Sequence, residues 1–285
     1  MEYGDYIEAG KIAAKAVAAA KKVLGEGVGY IEVCDTAEGV IRSAGAGFAF
    51  PTNVSVNEVA AHDTAAFGDK RVLKCGDVVK VDIGAHVNGC IADTAFTVEI
   101  GSDEHGELIK ASREALENVI KIMRPGVRVA ELGGVIERTI KAKGFNPIVN
   151  LSGHVVEPYV LHSGIIVPNY DNSSDVVLEE GVVVAIEPFA TTGVGRVVQS
   201  KDSRIYRLNR LKPTRLNRDV LEKVKKYEGL PFASRWLGSA DLALKRLSRL
   251  GILENYNILR EESNGIVSQA EHTIIVLDKP IVTTI

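Results

Sequence analysis

Residues 78–98, VVKVDIGAHVNGCIADTAFTV, constrain the fold more than any other stretch. Two β-branched runs meet at Asn88-Gly89, the dipeptide most favoured for a two-residue hairpin turn. With those two residues as the loop, Val87 pairs with Cys90, Asp82 faces Ala95 and Gly84 faces Asp93. Side chains alternate along a strand, so this register sets Asp82 and Asp93 on one face as diagonal neighbours. Two carboxylates inside otherwise apolar strands are either ordinary acids on an exposed face or buried groups with something positive between them. For the buried case a divalent cation is the simplest candidate. The choice rests on the register, because a slip of one residue separates the two side chains.

A chain of 285 residues with 46% hydrophobic content has the material for one large domain or two small ones. No apolar run reaches the roughly 18 residues of a membrane span. The start MEYGDYIEAGKIAAK lacks the basic head and apolar centre of a signal peptide, so a soluble cytoplasmic protein is expected. Cys34, Cys75 and Cys90 form neither an even set nor a CxxC motif, which fits a reducing compartment and argues against a thiolate metal site. Any metal must therefore use oxygen and imidazole.

The net charge of −3 hides an asymmetry. Residues 201–260 carry 15 Lys and Arg against 6 Asp and Glu, a local balance of +9 that leaves the remainder at −12. A basic block in an acidic chain points to a subdomain with a surface of its own, facing either nucleic acid or simply water.

Along the chain, the Ala- and Lys-rich residues 5–24 read as a helix and residues 30–44 as a second. Gly-rich GAGFAFPTN then breaks into an extended segment. After the hairpin, residues 103–123 make a long helix, Pro125-Gly126 stops it, and residues 128–143 form another. The order helix, helix, strands has occurred twice. At a constant offset of 99, Gly27-Val28 matches Gly126-Val127, Glu32 matches Glu131, Glu38 matches Glu137, Ile41 matches Ile140 and Gly45 matches Gly144. An internal duplication of an α+β half is the favoured account, with a site at the junction of two similar sheets. Within the basic block, Thr214 caps a helix whose apolar face is Leu216, Val220, Leu221, Val224 and Tyr227. Ser239 and Gly251 bracket another with Leu242, Leu247 and Leu250.

The strand-like segments 150–169, 182–195 and 265–285 each carry His or Glu inside or at the edge of an apolar run: His154, His162, Glu187, Glu271 and His272. Asp82, Asp93, His154, Glu187 and Glu271 together are four carboxylates and one imidazole, a set that suits two hard or borderline divalent cations. Taken singly, His154 reads more readily as a satisfied core histidine and Glu187, before Pro188, as a strand end.

The motifs FAFPTNVSVNEVAAH (48–62), KVDIGAHVNGCIADTAFTV (80–98), NLSGHVVEPYVLHSG (150–164), AIEPFA (185–190) and QAEHTIIV (269–276) run in order through nearly the whole chain. In these motifs and their spacing the sequence resembles the metal-dependent pita-bread (creatinase/aminopeptidase) peptidases, and within them the type II methionine aminopeptidases of archaea and eukaryotes. The resemblance implies an α+β pita-bread fold of duplicated helix-helix-strand halves. Residues 1–195 and 261–285 would form the catalytic domain, with a helical insertion subdomain at 196–260. It implies two divalent cations, Co, Mn, Fe or Zn, with Asp82 chelating one, Asp93 and Glu271 bridging both, and His154 and Glu187 completing the other. A cation pair lowers the pKa of a water and stabilises the oxyanion of an attacked amide. By the same resemblance Glu187 passes the proton towards the leaving amine. His62 and His162 contact the carbonyl oxygen or nitrogen of the scissile bond without binding metal, and Phe50 and Leu161 line the pocket for the first side chain. A flexible thioether suits such a pocket. Ala270 departs from the family, whose members commonly carry an aromatic residue there, and is expected to alter the shape of that pocket. His272 alternates away from Glu271 and reads as structural.

The implied activity is removal of the initiator methionine from nascent polypeptides with small second residues, by a monomer with no membrane partner. Arg204, Arg207, Arg210, Lys212, Arg215 and Arg218 of the insertion are candidates for a weak ribosome-facing surface. Two alternatives share the fold. A proline-specific dipeptidase or aminopeptidase has a similar ligand set after a substantial N-terminal domain, for which Asp82 lies too near the start. A non-catalytic binding protein loses ligands that are all present here.

Overall fold

Asn88 and Gly89 both take positive φ, 51° and 89°, as a type I′ hairpin turn requires. The turn fixes the register read from the sequence: Val87 lies opposite Cys90, Asp82 opposite Ala95 and Gly84 opposite Asp93. These features belong to a computed structural model that describes residues 3–209, 218–238 and 240–285.

Two helix pairs cover two sheets. Helix α1 (Gly4–Val23) lies on the hairpin strands Val78–Val87 and Cys90–Glu99, and α2 (Tyr30–Ser43) packs on α1 and on the neighbouring strands Gly47–Phe48 and Asn53–Val56. The small residues Ala9, Ala13, Ala16 and Ala20 of α1 let it approach the sheet closely, and they share a core with Val79, Val81, Ile83 and Ala92. Helices α3 (Gly106–Ile122) and α4 (Val129–Ala142) share a core with the second sheet through Leu108, Leu116, Leu132, Ile136 and Ile140. That sheet runs in the order Ile281–Val282, His272–Ile275, Val183–Ile186, Ser152–Val155, Ile166–Pro168. All four helices fall within a few residues of the expected bounds, and the order helix, helix, sheet recurs as the pita-bread fold requires.

The two sheets meet through a seam of threonines. Thr273 Oγ1 accepts from the Asp93 amide at 2.7 Å and donates to the Asp93 carbonyl at 2.8 Å. Thr94 Oγ1 donates to the Glu271 carbonyl at 2.8 Å, and Thr97 Oγ1 donates to the Gln269 carbonyl at 2.6 Å. Ala95 and Glu271 add a β-bridge. Each hydroxyl hydrogen-bonds buried backbone of the opposite half, so the acids from the two halves are fixed relative to one another.

The segment 196–260 departs from the expected helical subdomain. Helices α5 (Arg218–Lys225) and α6 (Asp241–Arg249) are present, but the segment enters through the long strand Val197–Leu208 and leaves through Leu253–Glu261. The two pair with each other, and the second pairs with Val59–Ala61 of the first half. The sequence reading missed these strands because charged residues break the apolar alternation along both. The core-facing residues of α6 are Leu244 and Leu247, whereas Leu242 and Leu250 are exposed. Thr214, Leu216 and Ser239, with Arg210, Lys212 and Arg215, lie outside the described residues.

Candidate metal centre and active site

At the seam the register delivers five candidate ligands to one place. Asp82 and Asp93 project from the hairpin, His154 lies opposite Ala185 in the second sheet, Glu187 follows the strand Val183–Ile186, and Glu271 sits at the bridge to Ala95. Donor atoms of Asp93, His154 and Glu271 lie within 4.8 Å of one another. His154 Nε2 is 3.6 Å from Asp93 Oδ2 and 3.4 Å from Glu187 Oε1. All five residues line a cavity of about 260 Å³, together with His62, His162, Phe50 and Leu161.

Burial raises the pKa of all four carboxylates above the usual range, and the other acids of the cluster push Asp93, Glu187 and Glu271 further in the same direction. Burial, and then His162 beside it, depresses His154 to about 3. Among the described residues no Lys or Arg forms an ion pair with any of the five. With its acids ionised the cluster would carry negative charge beside neutral imidazole lone pairs, and no ion-paired Lys or Arg among the described residues would balance it.

His162 stacks edge-on against His154, ring centroids 4.4 Å apart. Burial, and after it His62 and Arg207, lowers its pKa to about 4. His62 holds φ at +65°, left-handed backbone rare for a non-glycine residue. Its Nδ1 lies 3.1 Å from the Asn257 carbonyl. A carbonyl only accepts, so Nδ1 carries the proton; burial lowers the ring's pKa, and the neutral ring keeps Nε2 as an acceptor. Phe50 and Leu161 are buried in one apolar cluster with Ala49, Ile91 and Val156. The Phe50 ring lies against Gly84, where an added Cβ would sit 2.2 Å from Cε1.

Ala270 does not line this cavity. It alternates away from Glu271 and joins the core beneath α3, at a groove lined by Phe96, Leu116 and the C-terminal Thr284 and Ile285. The expected effect on the substrate pocket is thereby corrected: the small residue leaves its space on the far side of the strand. His272 hydrogen-bonds Thr284 Oγ1 at 2.8 Å, also away from the ligands.

Four participants escaped the sequence reading. Gln269 Nε2 donates to Asp82 Oδ2 and to Glu271 Oε2, both at 3.3 Å, and so spans acids from the two halves. It stands in a quoted motif, but a neutral amide gives no charge signal. Ile205, Pro231 and Tyr256 reach the cavity from the insertion, a juxtaposition that only the strand pairing creates.

The fold and the buried donor set define a metallopeptidase. A profile of metallopeptidase family M24 matches residues 5–216, and the chain belongs to that family. A methionine aminopeptidase of Pyrococcus abyssi is 50% identical over 295 aligned residues, with 100% of both chains covered, which places the chain among the methionine aminopeptidases of that family. The methionine aminopeptidase structure from Thermotoga maritima superposes with TM-score 0.73 at 27% identity, covering 98% of this chain and 94% of that one. A thermophilic Arx1 superposes with TM-score 0.88 at 19% identity, covering 99% and 90%, a likeness of fold alone.

The residues fit the divalent metal that this family implies. Asp82 Oδ1, Asp93 Oδ1 and His154 Nδ1 are buried without any hydrogen-bond partner. Such groups are rare in native interiors, and the oxygen and imidazole donors suit Mn, Fe, Co or Zn.

Proposed function

We propose that the protein removes the initiator methionine from nascent polypeptides by metal-assisted hydrolysis of the first peptide bond, with small second residues preferred. The observation that carries this reading is the single cavity in which the five candidate ligands face two neutral histidines and an apolar wall of Phe50 and Leu161. Asp82, Asp93, His154, Glu187 and Glu271 are the proposed ligands of two divalent cations. When bound, the metals supply Lewis acidity that lowers the pKa of a water and stabilises negative charge on the attacked carbonyl oxygen.

The chain's own residues do the rest. Phe50 and Leu161 hold the first side chain and exclude water around it. His62 presents Nε2 as an acceptor to the scissile N–H, and His162, packed against His154, contacts the carbonyl end. Glu187, beside His154 Nε2, moves the proton from the attacking water to the leaving amine.

Residues 196–260 are the proposed insertion of the type II kind, and the protein is proposed to act as a cytoplasmic monomer. Among the described residues no helix is long and apolar enough to cross a membrane. The basic insertion is a proposed weak contact to the ribosome. Arg204 and Arg207 are paired with Asp241 and Glu254, so Arg218, exposed at the start of α5, and the Lys and Arg just before it would carry most of that contact.

The test is methionine release from a Met-Ala-Ser peptide by the chelated protein after adding back Co, Mn, Fe or Zn in turn, with an Ala-Pro dipeptide as the competing substrate. Release of methionine alone is expected. Cleavage of Ala-Pro in preference, or equal rates on Leu- and Met-starting peptides, overturns the assignment.

A further inference from the structure

One wall of the cavity is assembled from two stretches remote in sequence. Residues 48–64 supply Phe50, Asn53, Ala61 and His62, and the insertion supplies Ile205, Pro231 and Tyr256. A buried charged cluster joins those stretches without lining the cavity itself. Glu38 of α2 is 2% exposed, and Arg235, in the short 3-10 turn Ser234–Leu237, is 9% exposed. The Arg235 Nη2 meets Glu38 Oε1 in an ion pair. Trp236 Nε1 donates to Glu38 Oε2 at 2.8 Å, and the Thr52 amide donates to Oε1 at 3.3 Å. Arg235 Nη1 donates to Thr64 Oγ1 at 2.8 Å, and that hydroxyl donates onward to the Thr52 carbonyl at 2.7 Å. The Trp236 ring packs on Phe48, centroids 4.8 Å apart.

A buried ion pair adds little net stability over well-packed apolar residues, because desolvation offsets most of the attraction. Its directional bonds instead select one arrangement. Both carboxylate oxygens of Glu38 are used, by donors from residues 48–64 and from the insertion. Thr52 adjoins Asn53 and stands two residues from Phe50, and Thr64 stands two residues from His62. The left-handed backbone of His62 persists only where its surroundings over-determine it, and the bonded Thr52–Thr64 pair is one such constraint.

We propose that Glu38, Arg235 and Trp236 form a latch that seats the insertion against residues 48–64 and thereby sets the width of the substrate pocket. They are positioning residues. The inference rests on the methionine-pocket reading for its kinetic consequence, while its structural consequence is independent of any substrate.

The test uses the full chain loaded with Mn(II) and compares Glu38→Gln, Arg235→Met and wild type. Amide hydrogen exchange by mass spectrometry is expected to quicken in residues 48–64 and 231–236 and to stay unchanged in the hairpin 78–99. KM for the Met-Ala-Ser peptide is expected to rise about tenfold or more with a smaller change in kcat, the signature of lost uniform binding. Mn(II) affinity by calorimetry is expected to hold. Faster exchange spread over the whole chain with unchanged KM overturns the latch, because a merely stabilising pair would behave so. Where Arg235→Met does not fold, Trp236→Phe keeps an aromatic ring on Phe48 and removes one donor. The same local exchange and a smaller rise in KM are then expected, and wild-type values for both overturn the proposal. If the wild type itself releases no methionine, the proposed activity fails and the exchange pattern alone decides the latch.

Discussion

Replacing Gly84 by alanine tests whether the Phe50 ring is the wall of the methionine pocket. The added methyl would lie 2.2, 2.5 and 2.8 Å from Cε1, Cδ1 and Cζ of Phe50. Carbon atoms in contact sit about 3.5–4.0 Å apart, so the ring must retreat by roughly 1.5 Å. Ala49, Ile91 and Leu161 pack in the same cluster, and the cavity is the open space at hand. Overpacking of this kind typically costs about 1–3 kcal/mol. Expressed wholly at the pocket, with about 1.4 kcal/mol per factor of ten, it lowers kcat/KM roughly 5- to 150-fold. Steady-state kinetics on a Met-Ala-Ser peptide measures this, and Mn(II) calorimetry checks that Asp93, opposite Gly84 in the hairpin, still binds. Adding Phe50→Leu to Gly84→Ala removes the ring that clashes, so the two changes should be non-additive, with part of the lost activity regained. A folded Gly84→Ala protein with unchanged kcat/KM refutes the placement of Phe50.

Other outcomes follow from the same geometry. Asp93→Asn or Glu271→Gln should abolish hydrolysis and metal binding together, since each is a proposed bridge between both cations; two retained metals by elemental analysis would count against that role. His62→Ala and His162→Ala should keep their metal and lose roughly 10²–10⁴-fold in kcat/KM, and a metal-free variant would make that histidine a ligand. Gln269→Met preserves shape but removes the two donors to Asp82 and Glu271. Mn(II) affinity should then fall about tenfold, within the worth of hydrogen bonds to charged groups; equal affinity by calorimetry would show that the amide does not hold the acids.

The hairpin was legible because its information is local. Asn88-Gly89 dictates a turn, the turn dictates a register, and the register alone places Asp82 beside Asp93. The helices were legible for a similar reason, each being a continuous amphipathic or alanine-rich run. Two kinds of feature were not. The strands Val197–Leu208 and Leu253–Glu261 gain their order from pairing with each other and with Val59–Ala61, and no short window contains that partner. Glu38 looked like half of a repeat match to Glu137, yet Glu38 is buried against Arg235 whereas Glu137 is partly exposed beside Lys141. Equivalent positions in the two halves have thus taken different tasks, and the sequence identity concealed the difference. Ala270 shows the reverse error, in which a residue inside a site motif faces away from the site because strand side chains alternate.

The charge of the insertion gains meaning from where its strands run. Arg207 Nη2 and Glu254 Oε2 are 2.6 Å apart across the pair Val197–Leu208 and Leu253–Glu261. Beside them, Tyr256 packs its ring edge-on against His62 at 5.2 Å. After burial and His62, Arg207 is the next influence lowering the pKa of His162, and Glu254 opposes it. At least two arginines of the basic block are therefore committed to acids within the block, and one of them stands by the proposed catalytic histidines His62 and His162. The formal excess of positive charge overstates what is free to meet a phosphate backbone, because a paired guanidinium releases fewer counterions on binding. The insertion is better understood as the second wall of the cavity, tied to the first half by a strand pairing at Val59–Ala61 and by the buried carboxylate of Glu38. Any contact with RNA falls to the part of the block that these pairings leave over.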